Sequence, residues 1–137
     1  MVEIDNEIDS EFIDNIPQTV YGRREYLLEF LSQFIGISVY NVHTCKEFFI
    51  SKESIEETAH HAAKSECSTI AAMNIISVLK NAELVSCDKP KSNRQISLFR
   101  FKKMLELRVM MRYVGSVKLM VGLQGRRNYL EYCITSQ

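Results

Sequence analysis

KMLELRVMMRY, Lys103 to Tyr113, is the stretch whose reading decides the fold. Leu105, Leu107, Val109, Met111 and Tyr113 fall on one side of a period-two pattern, and Met104, Glu106, Arg108, Met110 and Arg112 on the other. Strict alternation over this length is the mark of a half-buried strand. Gly115 then supplies a tight turn into Ser116–Leu123, where Val117, Leu119 and Val121 share a face. Gly122 and Gly125 bracket the next turn, with Arg126 and Arg127 at its tip, and Tyr129–Ser136 forms the closing strand. Upstream, Leu84–Cys87 is a short strand, separated from the first by a polar loop around Pro90. Successive strands joined by short loops run antiparallel.

What precedes these strands is helical. Arg23–Ile35 carries an apolar stripe of Leu27, Leu28, Leu31, Phe34 and Ile35, and Gly36 can end it in the left-handed conformation. Ile37–Val42 is a short β-rich segment with Val39 and Asn41 on one face. Ser54 and Glu57 form a capping box, with Ser51 an alternative start one turn earlier. Ile55, Ala59, Ala62 and Ala63 give that helix a narrow face that permits close approach. A second helix, from Ser68 or Thr69 to about Asn81, is apolar enough to be the buried one. The fold class is therefore α+β: N-terminal helices packed on one face of a C-terminal antiparallel β-meander of about four strands. Ile75, Ile76 and Leu79 should meet Leu107, Val109, Val117, Leu119 and Val121 in the core, since these are the long apolar surfaces with periods of 3.6 and 2.

Charge is laid out unevenly along the 137 residues. Seventeen basic and seventeen acidic side chains cancel, yet six acids and no Lys or Arg precede Arg23. From Asp88 onward there are eleven basic residues and three acids, a net of +8. The asymmetry points to a polyanion-binding half, with residues 1–19 an acidic arm that can fold back on it or stay solvated. Residues 20–137 form a single domain, the length being ample for one core. An apolar share of 46% with two prolines argues against disorder. No apolar run approaches the roughly 18 residues of a membrane span, and the acidic start contradicts a signal peptide. Four irregularly spaced cysteines (Cys45, Cys67, Cys87, Cys133) read as reduced thiols in a cytoplasmic protein; disulfides in an exported effector are the alternative.

Chemistry is sought first on the helix from Ser54 to Ser65. At about 100° per residue, His61 lies on one flank beside Thr58 and Ser65, and His60 on the other. One histidine at most faces a given site, and His61 has the smaller neighbours; the plainer reading is two solvated surface histidines. The polar sheet face is the second candidate. Arg108 and Arg112 stand roughly 13 Å apart on one strand, Lys118 joins them from the next, and Tyr132, Thr135 and Ser136 add an aromatic ring and hydroxyls. Such a face binds phosphates and stacks bases, or is simply a solvated surface. His43, Cys45, His60, His61 and Cys67 lack the paired spacing of structural zinc sites, so no metal or other cofactor is expected. No nucleotide-binding or hydrolase motif is found.

The run Phe49–Lys64 (FISKESIEETAHHAAK), the Ser/Thr-initiated helix ending Lys80-Asn-Ala82, and the meander closing on Tyr132–Ser136 together resemble a known layout. It is that of the phage and mobile-element branch of the barnase/EndoU/colicin/RelE-like nuclease superfamily, over residues 48–137. The resemblance implies two helices before a four-stranded antiparallel sheet, and metal-independent RNA cleavage by acid–base transesterification in a toxin or accessory protein. It implies a helix histidine, His61 or His60, and a hydroxyl pair, Thr135 with Ser136, near the scissile phosphate. Read with the charge pattern, Lys64, Arg108 and Tyr132 complete the expected catalytic set, and Arg112, Lys118, Arg126 and Arg127 are the expected nucleic-acid contacts. RNA is the expected partner, and an immunity or antitoxin protein a further one. The alternative is an inactive module of the same fold that binds nucleic acid or protein.

Overall fold

The computed structural model describes residues 2–88, 103–112, 114–124 and 127–135. Within them lie five helices and seven strands. Strands β5 (Lys103–Met111), β6 (Gly115–Gln124) and β7 (Arg127–Thr135) form the expected meander with β4 (Glu83–Asp88). The sheet is larger than four strands. β2 (Ser38–Asn41) and β3 (Lys46–Phe49) form a hairpin, and β3 joins β7 in parallel. β1 (Glu3–Ile4) pairs in parallel with the far end of β5, so that residues of the acidic N-terminal stretch add an edge strand. The order is β1-β5-β6-β7-β3-β2, with β4 sharing the β5 edge with β1. The fold is α+β.

The helices follow local chemistry. α1 (Ser10–Asp14) is a single short turn of the lead-in. α2 (Val20–Leu31) starts from Thr19, whose hydroxyl accepts from the Gly22 amide. A Cβ on Gly22 would stand 2.7 Å from Pro17 Cβ, so only glycine fits this entry turn. The helix gives way to a 3₁₀ turn at Ser32–Phe34, and Gly36, at φ +91°, takes the left-handed position expected of it.

α3 (Lys52–Ala62) begins a turn earlier than the Ser54–Glu57 reading, at Ser51. Ser51 Oγ accepts from the Ser54 amide while Ser54 Oγ accepts from the Ser51 amide, a reciprocal box. The helix expected from Ser68 to Asn81 is two: α4 (Glu66–Met73), capped by Ser65, and α5 (Ile75–Asn81). The break is at Asn74, whose φ and ψ of −90° and 21° leave the helical region. Its amide donates to Asn6 and to the Ile70 carbonyl, and its Oδ1 accepts from the Glu7 amide, so a buried polar hub stands where the pattern looked continuous.

Ile75, Leu79, Leu107, Val109, Val117, Leu119 and Val121 are fully buried together. Ile76 is only half-buried, and Val78 takes the inner position instead, since restarting the helix at Ile75 rotates the apolar face. Asn41, buried among apolar neighbours, ties the β2–β3 turn to the end of α5: its amide donates to the Leu79 and Ala82 carbonyls, and its Oδ1 accepts from the His43 and Thr44 amides.

Candidate active site

The site is built where the helices meet the free edge of β7. β3 pairs with β7 only at Asn128 and Tyr129, leaving the rest of that edge open. α3 and α4 occupy it. Ser54 Oγ donates to the Leu130 carbonyl, and Ser68 Oγ accepts from the Thr135 amide at 3.1 Å while bonding the Thr135 hydroxyl at 2.5 Å. Small side chains at Ala59, Ala62 and Ala63, all fully buried, allow this close approach. The end of α3 is fixed from behind: Arg23 Nε donates to the Ala63 carbonyl at 2.7 Å and Nη2 to that of Lys64 at 3.4 Å.

A bulge in β7 then sets which side chains turn outward. Met120 pairs with Tyr132 but Val121 with Leu130, so Glu131 is the extra residue. Because of it Leu130 faces the core and Tyr132, two positions on, faces the other side. Tyr132 receives His61: their ring centroids are 4.4 Å apart at 33°. Glu57, one turn before His61, places Oε2 3.5 Å from its Nε2. Burial, and then the negative charges of Glu106 and Glu57, push the Tyr132 hydroxyl above its ordinary value, so it stays protonated.

His61 of α3, Lys64 and Ser65 of the turn after it and Ser68 of α4, with Arg108, Lys118, Ile134 and Thr135 from the sheet, line a cleft of about 410 Å³. Five of the residues singled out from the sequence thus meet: His61, Lys64, Arg108, Lys118 and Thr135. Tyr132 forms the wall behind His61. His60 is exposed, touches His61 edge-on at 5.3 Å and does not line the cleft. Thr135 has the parity of the buried face, not of Tyr132, and enters the cleft because it ends the strand against Ser68.

Two expected contributors lie elsewhere. Arg112 is exposed at the far end of β5, its Nε 2.9 Å from Glu3 and 3.4 Å from Asp5, and these acids hold its guanidinium above its ordinary value. Arg127 sits at the opposite end of β7 with its guanidinium 4.2 Å above the Phe49 ring. Ser136 and Arg126 lie outside the described residues.

Glu106 is the residue the sequence reading left out. Its side chain is 16% exposed and stands between the cations, Oε1 2.6 Å from Arg108 Nη2 and Oε2 3.9 Å from Lys118 Nζ. Ser86 Oγ donates to Oε2 at 3.4 Å. Among the described residues, Arg108 Nε is buried with no acceptor. The signal was present, since Glu106 alternates in phase with Arg108. Ser65 was already placed beside His61, whereas Ser68 was hidden, being read only as a helix-start residue. Chemically, the cleft offers one imidazole and three cations, two of which are in contact with the Glu106 carboxylate.

The model of the large polyvalent protein-associated domain 3 family matches residues 18–129. The chain belongs to that family. Membership agrees with an association with phages and other mobile elements, as the resemblance implied, and carries nothing for or against nuclease chemistry. The matched span runs from α2 to the start of β7 and so includes His61, Lys64, Arg108 and Lys118 of this large polyvalent protein-associated domain. No curated protein and no solved structure matches the chain. No helix among the described residues is long and apolar enough to cross a membrane.

Proposed function

We propose that this domain cleaves RNA at the His61 cleft by metal-independent transesterification. One observation supports the reading above the others: a single cleft gathers His61 from α3, Lys64 from the turn that follows it, and Arg108 and Lys118 from two strands. In the reaction the ribose 2′-oxygen attacks phosphorus, the 2′-hydroxyl proton passes to a base, and the bond to the 5′-oxygen breaks as an acid returns a proton to it. The products are a 2′,3′-cyclic phosphate and a 5′-hydroxyl. His61 serves one of these proton transfers, held by Glu57 and by its stack on Tyr132. Glu106, on the same face, is the carboxylate available for the other. Arg108, Lys64 and Lys118 offset the charge that builds on the phosphorane oxygens. Thr135, fixed by Ser68, and Tyr132 position the phosphate.

The test is cleavage of single-stranded RNA in EDTA. One proton-transfer group contributes about 10²–10⁴-fold, so His61→Ala should lower the rate by that factor with an unchanged melting temperature. Loss of wild-type activity on adding EDTA would overturn the metal-independent chemistry. A second reading, a non-catalytic module holding RNA or a protein such as an immunity or antitoxin partner, draws support from Glu106, which already pairs with Arg108 and Lys118. It predicts RNA retention that weakens steeply with salt, without product, and a flatter salt slope when Arg108 and Lys118 are both replaced by Gln.

A further inference from the structure

The sheet face that carries the cleft carries aromatic rings beyond it. Tyr40 of β2, Phe49 of β3, and Tyr129 and Tyr132 of β7 all turn to this face. The pairings Ser38 with Phe49, Phe49 with Tyr129, and Met120 with Tyr132 place them there, and the alternate residues Val39, Phe48 and Leu130 are buried on the other side. Tyr40 is half exposed. The Glu131 bulge is what returns Tyr132 to the row.

Cations stand at both ends. Arg127 lies over Phe49 at one end, and Lys64, Arg108 and Lys118 line the cleft at the other. From Arg127 to Tyr132 the strand covers roughly 15 Å. Between them, Glu53, Glu57 and Glu131 line a recess of about 270 Å³ beside Tyr129 and Tyr132. Those carboxylates repel phosphates from the α3 side of the row.

We infer that this face binds single-stranded RNA, bases stacked on Phe49, Tyr129 and Tyr132, with the backbone entering the cleft from the β5–β6 side. The inference rests on the reading of the cleft as a phosphodiester site, and names the form of substrate it takes. Aromatic rings partly open to solvent and interleaved with cations suit unpaired bases, each of which has a free ring face. In a duplex those faces are taken by neighbouring bases, and its readable groove offers sugar hydroxyls and base edges instead. The acids along α3 orient the strand, leaving the phosphates to Arg108 and Lys118. Arg127 on Phe49 forms the outer platform, a planar cation already stacked on a ring.

The experiment uses the full chain in a His61→Ala background, so that no RNA is consumed. Fluorescence anisotropy is followed for a fluorescein-labelled 12-nucleotide RNA, single-stranded and annealed to its complement, at several salt concentrations. The single strand should bind more tightly than the duplex. Phe49→Leu should weaken it by about fivefold to a hundredfold with little change in salt slope. Arg127→Gln, at an exposed position, should weaken it and lower the salt slope by about one, with the thermal melt recorded alongside. Equal affinity for single strand and duplex, or unchanged affinity in both variants, overturns the inference. Arg108→Gln separates the two claims. If it weakens binding while Phe49→Leu and Arg127→Gln do not, the cleft stands and the stacking row falls; if the His61→Ala protein with no further substitution retains no RNA at all, both fall.

Discussion

Strands β5 and β6 have two faces made from alternate residues of the same chain, and the faces obey different rules. On the inner one, Leu107, Val109, Met111, Val117, Leu119 and Val121 are fully buried, and each is satisfied by contact alone. On the outer one, Glu106, Arg108 and Lys118 make ionic contacts with each other that leave Arg108 Nε without an acceptor. A core is complete when its volume is filled. The outer face keeps a donor unmatched among the described residues, and that is what the proposed phosphate contact would use.

The inner face should be the more expensive to disturb. Leu79→Ala or Leu107→Ala removes a fully buried side chain and should cost roughly 2–5 kcal/mol in chemical denaturation. The half-buried Ile76 should cost less on the same change, and equal losses at Leu79 and Ile76 would break the contrast.

Next in size is an alkaline effect that comes mainly from the inner face. Burial pushes the Cys133 thiol from 9.0 up to about 12. The folded protein therefore keeps a proton that the unfolded chain releases, so stability is full below pH 9 and falls as pH rises towards 12. The slope approaches about 1.4 kcal/mol per pH unit. In Cys133→Ala most of that fall should vanish, leaving the smaller contribution of Tyr132, whose hydroxyl is shifted in the same direction.

The seam between faces comes third. Ser54→Ala removes both half of the α3 capping box and the hydrogen bond to the Leu130 carbonyl, and should cost about 1–3 kcal/mol. Smallest is Arg112→Gln, which breaks exposed contacts to Glu3 and Asp5 and should leave the melting temperature within error. A clear drop would mean that β1 holds the sheet more tightly than its two residues suggest.

The inner face was legible from Lys103–Leu123 because burial writes a period of two into the sequence. The four strands of the meander followed from it. β1 and β3 were not legible, since pairing two to four residues with a distant strand leaves no period to read. Nor was the break at Asn74, where polar contacts from Asn6 and Glu7 decide the backbone. At the site, His61 was separable from His60 by helical phase alone. The Tyr132 contact depended on a bulge at Glu131, which no local pattern announces, and the Glu106 contacts depended on cross-strand register. Arg112 carried the right charge on the right face and stands too far along the strand to reach the cleft.

The central claim is that His61 moves a proton during RNA cleavage, and a single comparison tests it most directly. Initial rates of single-stranded RNA cleavage in EDTA, with product termini identified, should fall about 10²–10⁴-fold from wild type to His61→Ala, with cyclic-phosphate ends in the wild type and superimposable thermal melts. Equal rates in the two proteins, or no cleavage by a folded wild type that still retains RNA, would contradict it.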